Sequence, residues 1–337
     1  MGISILYIGN QTSTSLKNPT THEALTEALD SQGYNLRTAS HFQNKFYRLL
    51  HMIWMFFRNL RNSNYILIDF YSTQNFWYAV IIGFLSKLFS KKYILILHGG
   101  NLNQRFVSTP RISKYLLLNA YHVVSPSGYL ASIVAKIGVQ RVTHIPNPFS
   151  IKAYHFKKRC NIQPKILWVR AFHSIYNPLL AVKTLELLKR EFPNAEMCMV
   201  GPDKDGSLKL CRDYADNLGL SVKFMGKLER KEWLQLSTSY DVFINTTNID
   251  NTPMSVIEGM ALGLPVVSTR VGGMPSLIEH KNTGLLVPFN DPEAMYLALK
   301  SLLENASLSE RLSSAGRKKV ESLDWDLIKH KWSSILI

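Results

Sequence analysis

Residues 250–268 read DNTPMSVIEGMALGLPVVS and contain three local signals in succession. Residues 250–252 are helix-capping types, and Pro253 suits a first helical position because its missing N–H would have no partner there. Glu258 follows about one turn along the predicted helix. The apolar run at 265–268 is typical of a buried strand. The pattern therefore predicts a loop, a helix and a strand, with free backbone amides at the start of the helix.

These amides and the positive end of the helix form a site suited to a phosphate or a sugar hydroxyl. The Glu258 carboxylate can accept two hydrogen bonds from a ribose diol. Gly272 and Gly273 follow the strand, and glycine permits a second close approach of bare backbone. The stretch as a whole predicts a binding site for phosphate and sugar hydroxyl groups.

Apolar segments alternate with helical patterns along the chain. The first series has predicted strands at 3–8, 65–69, 93–97 and 122–125 and helices at 21–32, 75–89, 111–118 and 127–137. The second series has strands at 166–169, 196–200, 223–224, 242–245 and 265–268 and helices at 179–191, 208–217, 232–236 and 255–262. Strands separated by helices predict two parallel α/β sheets, each covered on both faces.

The two series meet at the proline-rich turn 145–149 and the basic segment that runs to Pro164. A chain of 337 residues exceeds what one core usually organises. We therefore expect domains at 1–150 and 151–322, followed by a final helix at 323–337. Ligands of such sheets bind beyond the carboxyl ends of the strands.

Asp250 and Glu258 bracket seven residues, and this spacing resembles the donor-binding motif of retaining GT-B glycosyltransferases, in particular glycosyltransferase family 4. The first acid is more usually Glu in that family. The resemblance implies an α/β GT-B fold with two Rossmann-like doubly wound domains facing across a cleft. Domain 1–150 would lie on the acceptor side, 151–322 would bind a nucleoside-diphosphate sugar, and helix 323–337 would return towards the first domain.

The resemblance assigns donor-side roles by position. Arg170 matches an arginine that stabilises the leaving diphosphate, and Asp250 would face the sugar hydroxyls. The family's usual lysine is missing; Tyr176 is its nearest counterpart and His173 a second candidate. Further donor contacts are expected from Glu258, Asn251, Thr252, Pro253, Met254, Gly201 and Gly226. The alternatives are a salt bridge for Arg170, a helix cap for Asp250, and simple packing for Tyr176 and His173.

In the first domain, His98 ends a predicted strand and precedes two glycines. It matches a histidine that touches the donor sugar in the family, although a lone histidine is more often a structural residue. The polar loop 9–18 replaces the paired glycines common in the family. It is predicted to contact the acceptor through Asn10 and Lys17.

No Asp-x-Asp motif in a strand-end context appears, so we expect no metal site. The resemblance implies a retaining, metal-independent, hexosyltransferase-like enzyme with a nucleoside-diphosphate sugar as co-substrate and no cofactor. The leaving phosphate would take the acceptor proton on the same face of the sugar.

Charge is concentrated in the first half of the chain. The net charge is +15, and residues 1–150 hold 14 Lys and Arg against 4 Asp and Glu. No helix-turn-helix, zinc-finger or RNA-recognition pattern accompanies this charge, so we expect no nucleic-acid partner. Residues 43–62 interleave aromatic and basic side chains, which suits a helix lying on an anionic membrane surface. The alternative is a helix that packs on its own sheet with solvated charges.

The first residues resemble a buried strand rather than a signal peptide, and the longest apolar run, 76–85, is too short to span a bilayer. Three cysteines without metal-ligand spacing fit a reducing compartment. We therefore expect a cytoplasmic protein, peripheral on the inner face of the membrane. It would glycosylate a glycan or lipid-linked acceptor in surface polysaccharide or glycolipid biosynthesis. The alternatives are a non-catalytic nucleotide-sugar-binding partner subunit and a nucleotide-sugar epimerase.

Overall fold

The structure, a computed structural model, describes residues 2–11, 20–99 and 101–337. The chain divides into two compact units. The first unit is Met1–Phe149 together with Leu323–Ile337, and the second is Ser150–Ser322. Each unit contains a six-stranded parallel sheet. The predicted α/β class with two doubly wound sheets is confirmed.

The first unit alternates strands and helices. Its strands are β1 (Ser4–Ile8), β2 (Asn35–Ala39), β3 (Tyr65–Tyr71), β4 (Lys92–His98), β5 (His122–Ser125) and β6 (Val142–His144), in the order β2-β1-β3-β4-β5-β6. Its helices are α1 (Thr21–Asp30), α2 (Lys45–Asn59), α3 (Phe76–Leu88), α4 (Leu102–Ser108), α5 (Pro110–Asn119) and α6 (Gly128–Lys136).

The second unit repeats the pattern. Its strands are β7 (Lys165–Val169), β8 (Glu196–Val200), β9 (Val222–Gly226), β10 (Val242–Asn245), β11 (Val266–Thr269) and β12 (Leu285–Val287), in the order β12-β11-β10-β7-β8-β9. Its helices are α7 (Pro178–Lys189), α8 (Ser207–Asn217), α9 (Arg230–Ser237), α10 (Met254–Ala261), α11 (Met274–Leu277), α12 (Pro292–Glu304) and α13 (Ala306–Glu321). Short 3₁₀ helices cover Ile151–Ala153 and Ser174–Tyr176.

The central strands bury both of their faces. Along β1, Leu6 and Ile8 belong to one core cluster, whereas Ile5 and Tyr7 belong to another on the opposite side. This is the period of two that a strand imposes on its side chains. The predicted set of strands lacks β2, β6 and β12, which all lie at sheet edges. They are three to five residues long, so their apolar pattern is short.

Helix α2 has two distinct faces. Met52 and Phe56 are buried in the core of the first unit, so the helix packs on its own sheet. Its outward face nevertheless carries large apolar side chains, with Phe46 64% exposed and Trp54 51% exposed. The structure thus shows the packing of this helix on its own sheet, and binding of its outward face to a membrane stays a prediction.

The final helix predicted at 323–337 is two short helices, α14 (Trp325–Ile328) and α15 (His330–Ser333). The break arises because the Trp332 N–H donates to the carbonyl oxygen of Lys329, three residues back rather than four. The tighter turn accompanies burial of the Trp332 indole, which is 2% exposed, among core residues of the first unit.

We expect Trp332→Ala to lower the free energy of unfolding of the first unit by about 3–5 kcal/mol, because a large buried ring leaves a cavity. Urea unfolding followed by far-UV circular dichroism measures this change. Leu327→Ala is the matched control, since Leu327 is 59% exposed, and it should change stability by less than about 0.5 kcal/mol. Equal effects of the two substitutions would contradict the packing described here.

Candidate functional site

The loops after β7 and β10 bring Arg170 and Asp250 together in the second unit. These two strands are neighbours in the sheet, and the strand order reverses between them. Loops at such a switch point leave a crevice at the carboxyl edge of the sheet. Arg170 follows β7, and its Nη2 donates a hydrogen bond to Oδ2 of Asp250. Two side chains that sequence analysis assigned to the donor are thus a salt bridge in this structure.

Tyr176 supports the Arg170 guanidinium from one side. The guanidinium carbon lies 4.3 Å from the centroid of the Tyr176 ring, within the range of a cation–π contact. Thr246 Oγ1 donates to the Tyr176 carbonyl oxygen at 2.8 Å and fixes the turn. Tyr176, predicted to be the nearest counterpart of the family lysine, therefore offers an aromatic face to Arg170. The Arg170 Nε is buried and has no partner among the described residues.

His173 caps the turn that carries Tyr176. Its Nδ1 accepts a hydrogen bond from the Ile175 N–H at 3.1 Å and lies 3.6 Å from Oδ2 of Asp205. A hydrogen bond from Ser207, with others from Ser174, holds the pKa of the Asp205 carboxyl well below its usual range. One ring nitrogen of His173 is thus committed to local structure. A donor-binding role for His173 stays a prediction.

Glu258 lies within helix α10 and has two partners that sequence analysis missed. Its Oε1 accepts a hydrogen bond from the Tyr154 hydroxyl at 2.7 Å and lies 3.5 Å from Nε of Arg230. Nη2 of Arg230 also donates to the Tyr154 hydroxyl. Burial raises the pKa of the Glu258 carboxyl, and the hydrogen bond from Tyr154 and the charge of Arg230 offset only part of this effect. Nothing in the spacing of Tyr154 and Arg230 along the chain pointed to this cluster.

The loop before α10 packs closely against the glycines after β11. A Cβ atom on Gly272 would lie 2.0 Å from the carbonyl oxygen of Asp250, and Gly272 has a φ of +49°. The glycine pair predicted to give backbone access to a ligand therefore packs against the loop that carries Asp250 and Asn251. Helix α10 begins at Met254, one residue before the predicted range 255–262, and Pro253, which suited a first helical position, is instead the N-cap with an extended ψ of 123°.

Three buried polar atoms of this region have no partner among the described residues. They are Nε of Arg170, Oγ1 of Thr252 and Oγ of Ser255. Buried polar groups are normally hydrogen-bonded, so each of these atoms calls for an explanation. Asn251 is buried beside them, and its N–H donates to Oδ1 of Asp250. The remaining predicted donor residues form the strand ends beside the loop, where the Gly201 N–H donates to the Gly226 carbonyl oxygen at 2.7 Å.

A second polar cluster lies at the carboxyl ends of β3 and β4 in the first unit. Nε2 of His98 lies 2.7 Å from Oδ1 of Asp69, and Nδ1 of His22 lies 3.2 Å from Oδ2. Burial by itself would raise the pKa of Asp69, but the charges and hydrogen bonds of both histidines hold it well below its usual range. Sequence analysis singled out His98 but missed Asp69 and His22.

Asn10 lies close to this second cluster. Its Oδ1 accepts a hydrogen bond from Nη1 of the buried Arg48 at 3.2 Å. Lys17, the other predicted acceptor contact, lies outside the described residues. Within the described ranges, no group of three or more His, Cys, Asp or Glu could hold a metal ion. No helix in those ranges is long and apolar enough to cross a bilayer.

Comparison with known families identifies the second unit. Residues 151–319 match the model of the family described as glycosyl transferases group 1, which is half of the chain. The chain belongs to this family. The resemblance carried by Asp250 and Glu258 is thereby confirmed at the level of the glycosyl transferases group 1 family.

Two relatives and one solved structure illustrate the likeness. The chain is 33% identical over 151 residues to sulfoquinovosyl transferase SQD2 of Arabidopsis thaliana, covering 42% of this chain and 28% of that protein. It is 27% identical over 256 residues to the amylovoran biosynthesis glycosyltransferase AmsK of Erwinia amylovora, covering 70% of this chain and 61% of that protein. The chain thus spans less than two thirds of either relative. The structure of Anabaena HepE with UDP covers 99% of both chains with a TM-score of 0.79 at 17% identity, and the predicted GT-B fold is confirmed.

The raised pKa of Glu258 gives a pH dependence with a definite sign. The folded state binds this proton more tightly than the unfolded chain, so the carboxyl favours folding below its ordinary pKa of 4.5. That contribution is lost as pH rises through the raised pKa. Glu258→Gln stays neutral throughout, so its stability should rise relative to the parent protein as the pH is raised from about 4.5 through the raised pKa.

Thermal melts of both proteins without ligand across this pH range measure the difference. Glu293→Gln is the matched control, because Glu293 is an exposed carboxylate of the same unit. A stability difference between Glu258→Gln and the parent protein that does not change with pH would contradict the buried environment of Glu258.

Proposed function

We propose that this protein transfers a sugar, with retention of configuration, from a nucleoside-diphosphate sugar to a glycan or lipid-linked acceptor. The observation that carries the proposal is the salt bridge of Arg170 and Asp250 at the switch point of the second sheet. Nε of Arg170, Oγ1 of Thr252 and Oγ of Ser255 in the same region are buried without a partner among the described residues, and α10 begins at Met254. A cation, backbone amides and unpartnered polar groups together suit an anionic ligand rich in hydroxyls.

The donor would exchange existing contacts for its own. A diphosphate approaching Arg170 competes with Asp250, whose carboxylate is then released towards the sugar hydroxyls. The shorter Asp side chain, where the family more usually has Glu, suits this exchange because it already reaches Arg170. Likewise a ribose diol would hydrogen-bond to Glu258 and replace the Tyr154 hydroxyl. The first turn of α10, with residues 251–254, would meet the phosphates and the sugar.

The proposed chemistry is a substitution on one face of the sugar. The bond from the anomeric carbon to the diphosphate oxygen breaks, and a bond to the acceptor oxygen forms on the same face. The acceptor proton passes to the departing phosphate oxygen. Negative charge grows on the diphosphate as the bond breaks, and Arg170 with the helix amides stabilises it. In this proposal these groups serve in place of a divalent ion, and His98 of the first unit contributes to sugar binding.

One observation favours the alternative of a non-catalytic nucleotide-sugar-binding partner subunit. The family's second cation is missing, and Tyr176 contributes an aromatic face without charge. Binding of a nucleotide sugar without hydrolysis or transfer would support that alternative. Release of a sugar nucleotide with an inverted carbon centre would instead indicate an epimerase.

The proposed acceptor is associated with the membrane, and the support is a surface on the first unit that we call the aromatic face. It joins α2, α3 and α5. The Phe57 ring contacts the Phe89 ring with centroids 5.6 Å apart, and Phe84 stacks on Tyr115 at 4.9 Å. Its large exposed apolar side chains are Phe46, Tyr47, Leu50, Trp54, Phe57, Trp77, Phe84, Leu88, Phe89, Tyr115 and Leu118.

Basic residues flank the aromatic face. Arg58 lies over the Trp54 ring at 4.8 Å, and Arg61, Lys87 and Lys114 are exposed nearby in the chain. No acidic residue occurs from Phe70 to Leu185. Exposed aromatic side chains interleaved with basic ones along the chain suit an anionic lipid surface better than a soluble polyanion. We therefore propose a peripheral protein on the cytoplasmic leaflet, acting in surface polysaccharide or glycolipid biosynthesis.

Arg170→Ala tests the donor site. We expect turnover of the preferred nucleoside-diphosphate sugar to fall by at least about tenfold, the loss of one charge-assisted hydrogen bond worth roughly 1.5–3 kcal/mol. Donor affinity should fall less, because charge on the diphosphate grows towards the transition state. Slow hydrolysis of a panel of uridine and guanosine diphosphate sugars gives turnover, and thermal shift gives affinity.

Arg190→Ala is the matched control, since the Arg190 side chain is 66% exposed on the same unit. If Arg170→Ala weakens donor binding but leaves turnover unchanged, then Arg170 stabilises the bound donor and the transition state equally. That result would contradict its proposed role at the leaving diphosphate. Absence of binding and of hydrolysis across the whole panel would overturn the proposed function.

Vesicle binding tests the membrane proposal. The variant with Arg58, Arg61, Lys87 and Lys114 replaced by Gln should bind anionic vesicles less than the parent protein. Its nucleotide affinity should not change. Parent binding should weaken as salt is raised, because surface attraction is screened over about 8 Å at physiological ionic strength. Lys91 is unsuitable for this test because its Nζ donates to the Ser63 carbonyl oxygen.

The charge-matched control replaces Lys204, Lys209, Lys223 and Lys231, four exposed lysines of the second unit, with Gln. Equal loss of vesicle binding in both variants would show that binding depends on net charge alone and not on the aromatic face. Equal partitioning of the parent protein onto neutral and anionic vesicles, or onto neither, would refute the membrane proposal.

A further inference from the structure

We infer that Asp69 is a positioning residue that holds His98 with a proton on Nε2, so that Nδ1 alone is free to bind a ligand. In the neutral ring, Nδ1 then carries a lone pair and accepts a hydrogen bond, which matches a sugar hydroxyl as donor. The part of this inference that concerns the sugar rests on the proposed function. The part that concerns the proton positions does not.

Four groups hydrogen-bond to the Asp69 carboxylate. Oδ1 is approached by Nε2 of His98 at 2.7 Å and by the Tyr7 hydroxyl at 2.8 Å. Oδ2 is approached by Nδ1 of His22 at 3.2 Å and by the Tyr71 hydroxyl at 3.3 Å. An ionised carboxylate accepts about four hydrogen bonds and donates none.

All four neighbours must therefore be donors. This requirement fixes a proton on Nε2 of His98 and a proton on Nδ1 of His22, so the two histidines use opposite ring nitrogens towards one carboxylate. The low pKa of Asp69 agrees with an ionised acceptor at the centre. Nε2 of His22 is buried and has no partner among the described residues, so its contact with Asp69 is made through Nδ1 alone.

The orientation of the His98 ring is fixed in a second way. The Tyr71 ring stacks on it with centroids 4.8 Å apart and an interplanar angle of 22°. His98 is 6% exposed and Asp69 3% exposed, so both are shielded from bulk water. No described residue hydrogen-bonds to Nδ1 of His98, which leaves this atom for a ligand.

The backbone at Gly9, directly after β1, packs closely against the Asp69 cluster. A Cβ atom on Gly9 would lie 2.0 Å from Oδ2 of Asp69 and 2.3 Å from Nδ1 of His22. Only glycine fits at this position without displacing the carboxylate. The requirement for glycine here comes from the Asp69 cluster, independently of any ligand contact made by the loop that follows.

Nuclear magnetic resonance of the full-length protein labelled with ¹⁵N-histidine tests the inference without any substrate. Long-range ¹H–¹⁵N spectra near pH 8, assigned with His22→Gln and His98→Gln, report which ring nitrogen carries the proton. We expect Nε2–H for His98 and Nδ1–H for His22 in the parent protein, and loss of this pattern in Asp69→Asn. Asp30→Asn, which changes an exposed carboxylate of the same unit, should keep it.

A proton on Nδ1 of neutral His98 in the parent protein would overturn the inference. So would an unchanged pattern at both histidines in a folded Asp69→Asn variant. The measurement on the parent protein stands even where Asp69→Asn does not fold.

Kinetics then test whether Asp69 acts through His98. Asp69→Asn should lower kcat/KM for the donor by about 10- to 100-fold, the order expected for a displaced group at a reacting centre. In the His98→Gln background the same substitution should cost less than about threefold, since the residue it positions is gone. Fully additive losses would show a general structural role and overturn the positioning role. Absence of turnover in the parent protein would refute the proposed function. The nuclear magnetic resonance measurement of the proton positions would then be the remaining test of the inference about Asp69 and His98.

Discussion

Parallel strands that are buried on both faces constrain where polar chemistry can lie in each unit. The interiors of β1, β3 and β4 are apolar, so charged side chains are confined to the strand ends and the loops that follow. At the switch point of the second sheet this constraint brings together Arg170 and Asp250, which are 80 residues apart in the chain. In the first sheet it brings Asp69 to His98. The two polar clusters thus have the same topological origin.

Internal hydrogen bonds and salt bridges hold the side chains of both clusters. Arg170 is paired with Asp250, Glu258 with Tyr154, and Asp69 with four donors. Removal of one partner from a buried pair is costly because the other charge is left without compensation. A ligand that binds beside Arg170, Asp250 and Glu258 in the second unit must therefore replace each contact that it breaks. The Asp69 cluster differs, since four groups already hydrogen-bond to its carboxylate and we infer that a ligand binds to Nδ1 of His98.

The aromatic face differs from both polar clusters because it consists of exposed apolar side chains. Helices that cover a parallel sheet usually turn polar side chains to solvent, yet α2 and α3 expose Trp54, Phe57 and Phe84 beside arginine and lysine. Large exposed apolar patches generally mark an interaction surface. Arg170, Asp250 and Glu258, which we propose to bind the donor, lie in the second unit, and the aromatic face lies in the first. Donor binding and the proposed membrane binding can therefore be tested by separate substitutions.

The sequence by itself determined the fold class, the alternation of buried strands and helices, and the family through Asp250 and Glu258. It could do so because apolar periodicity and the spacing of a motif are local properties of a chain. It did not reveal the partners Tyr154, Arg230 and Asp69, or the pairing of Arg170 with Asp250. These contacts join residues far apart in the chain, and only the register of parallel strands and the packing of their loops brings them within hydrogen-bond distance. The tertiary structure also showed the break before Trp332, where a tighter turn accompanies burial of the indole in the core of the first unit.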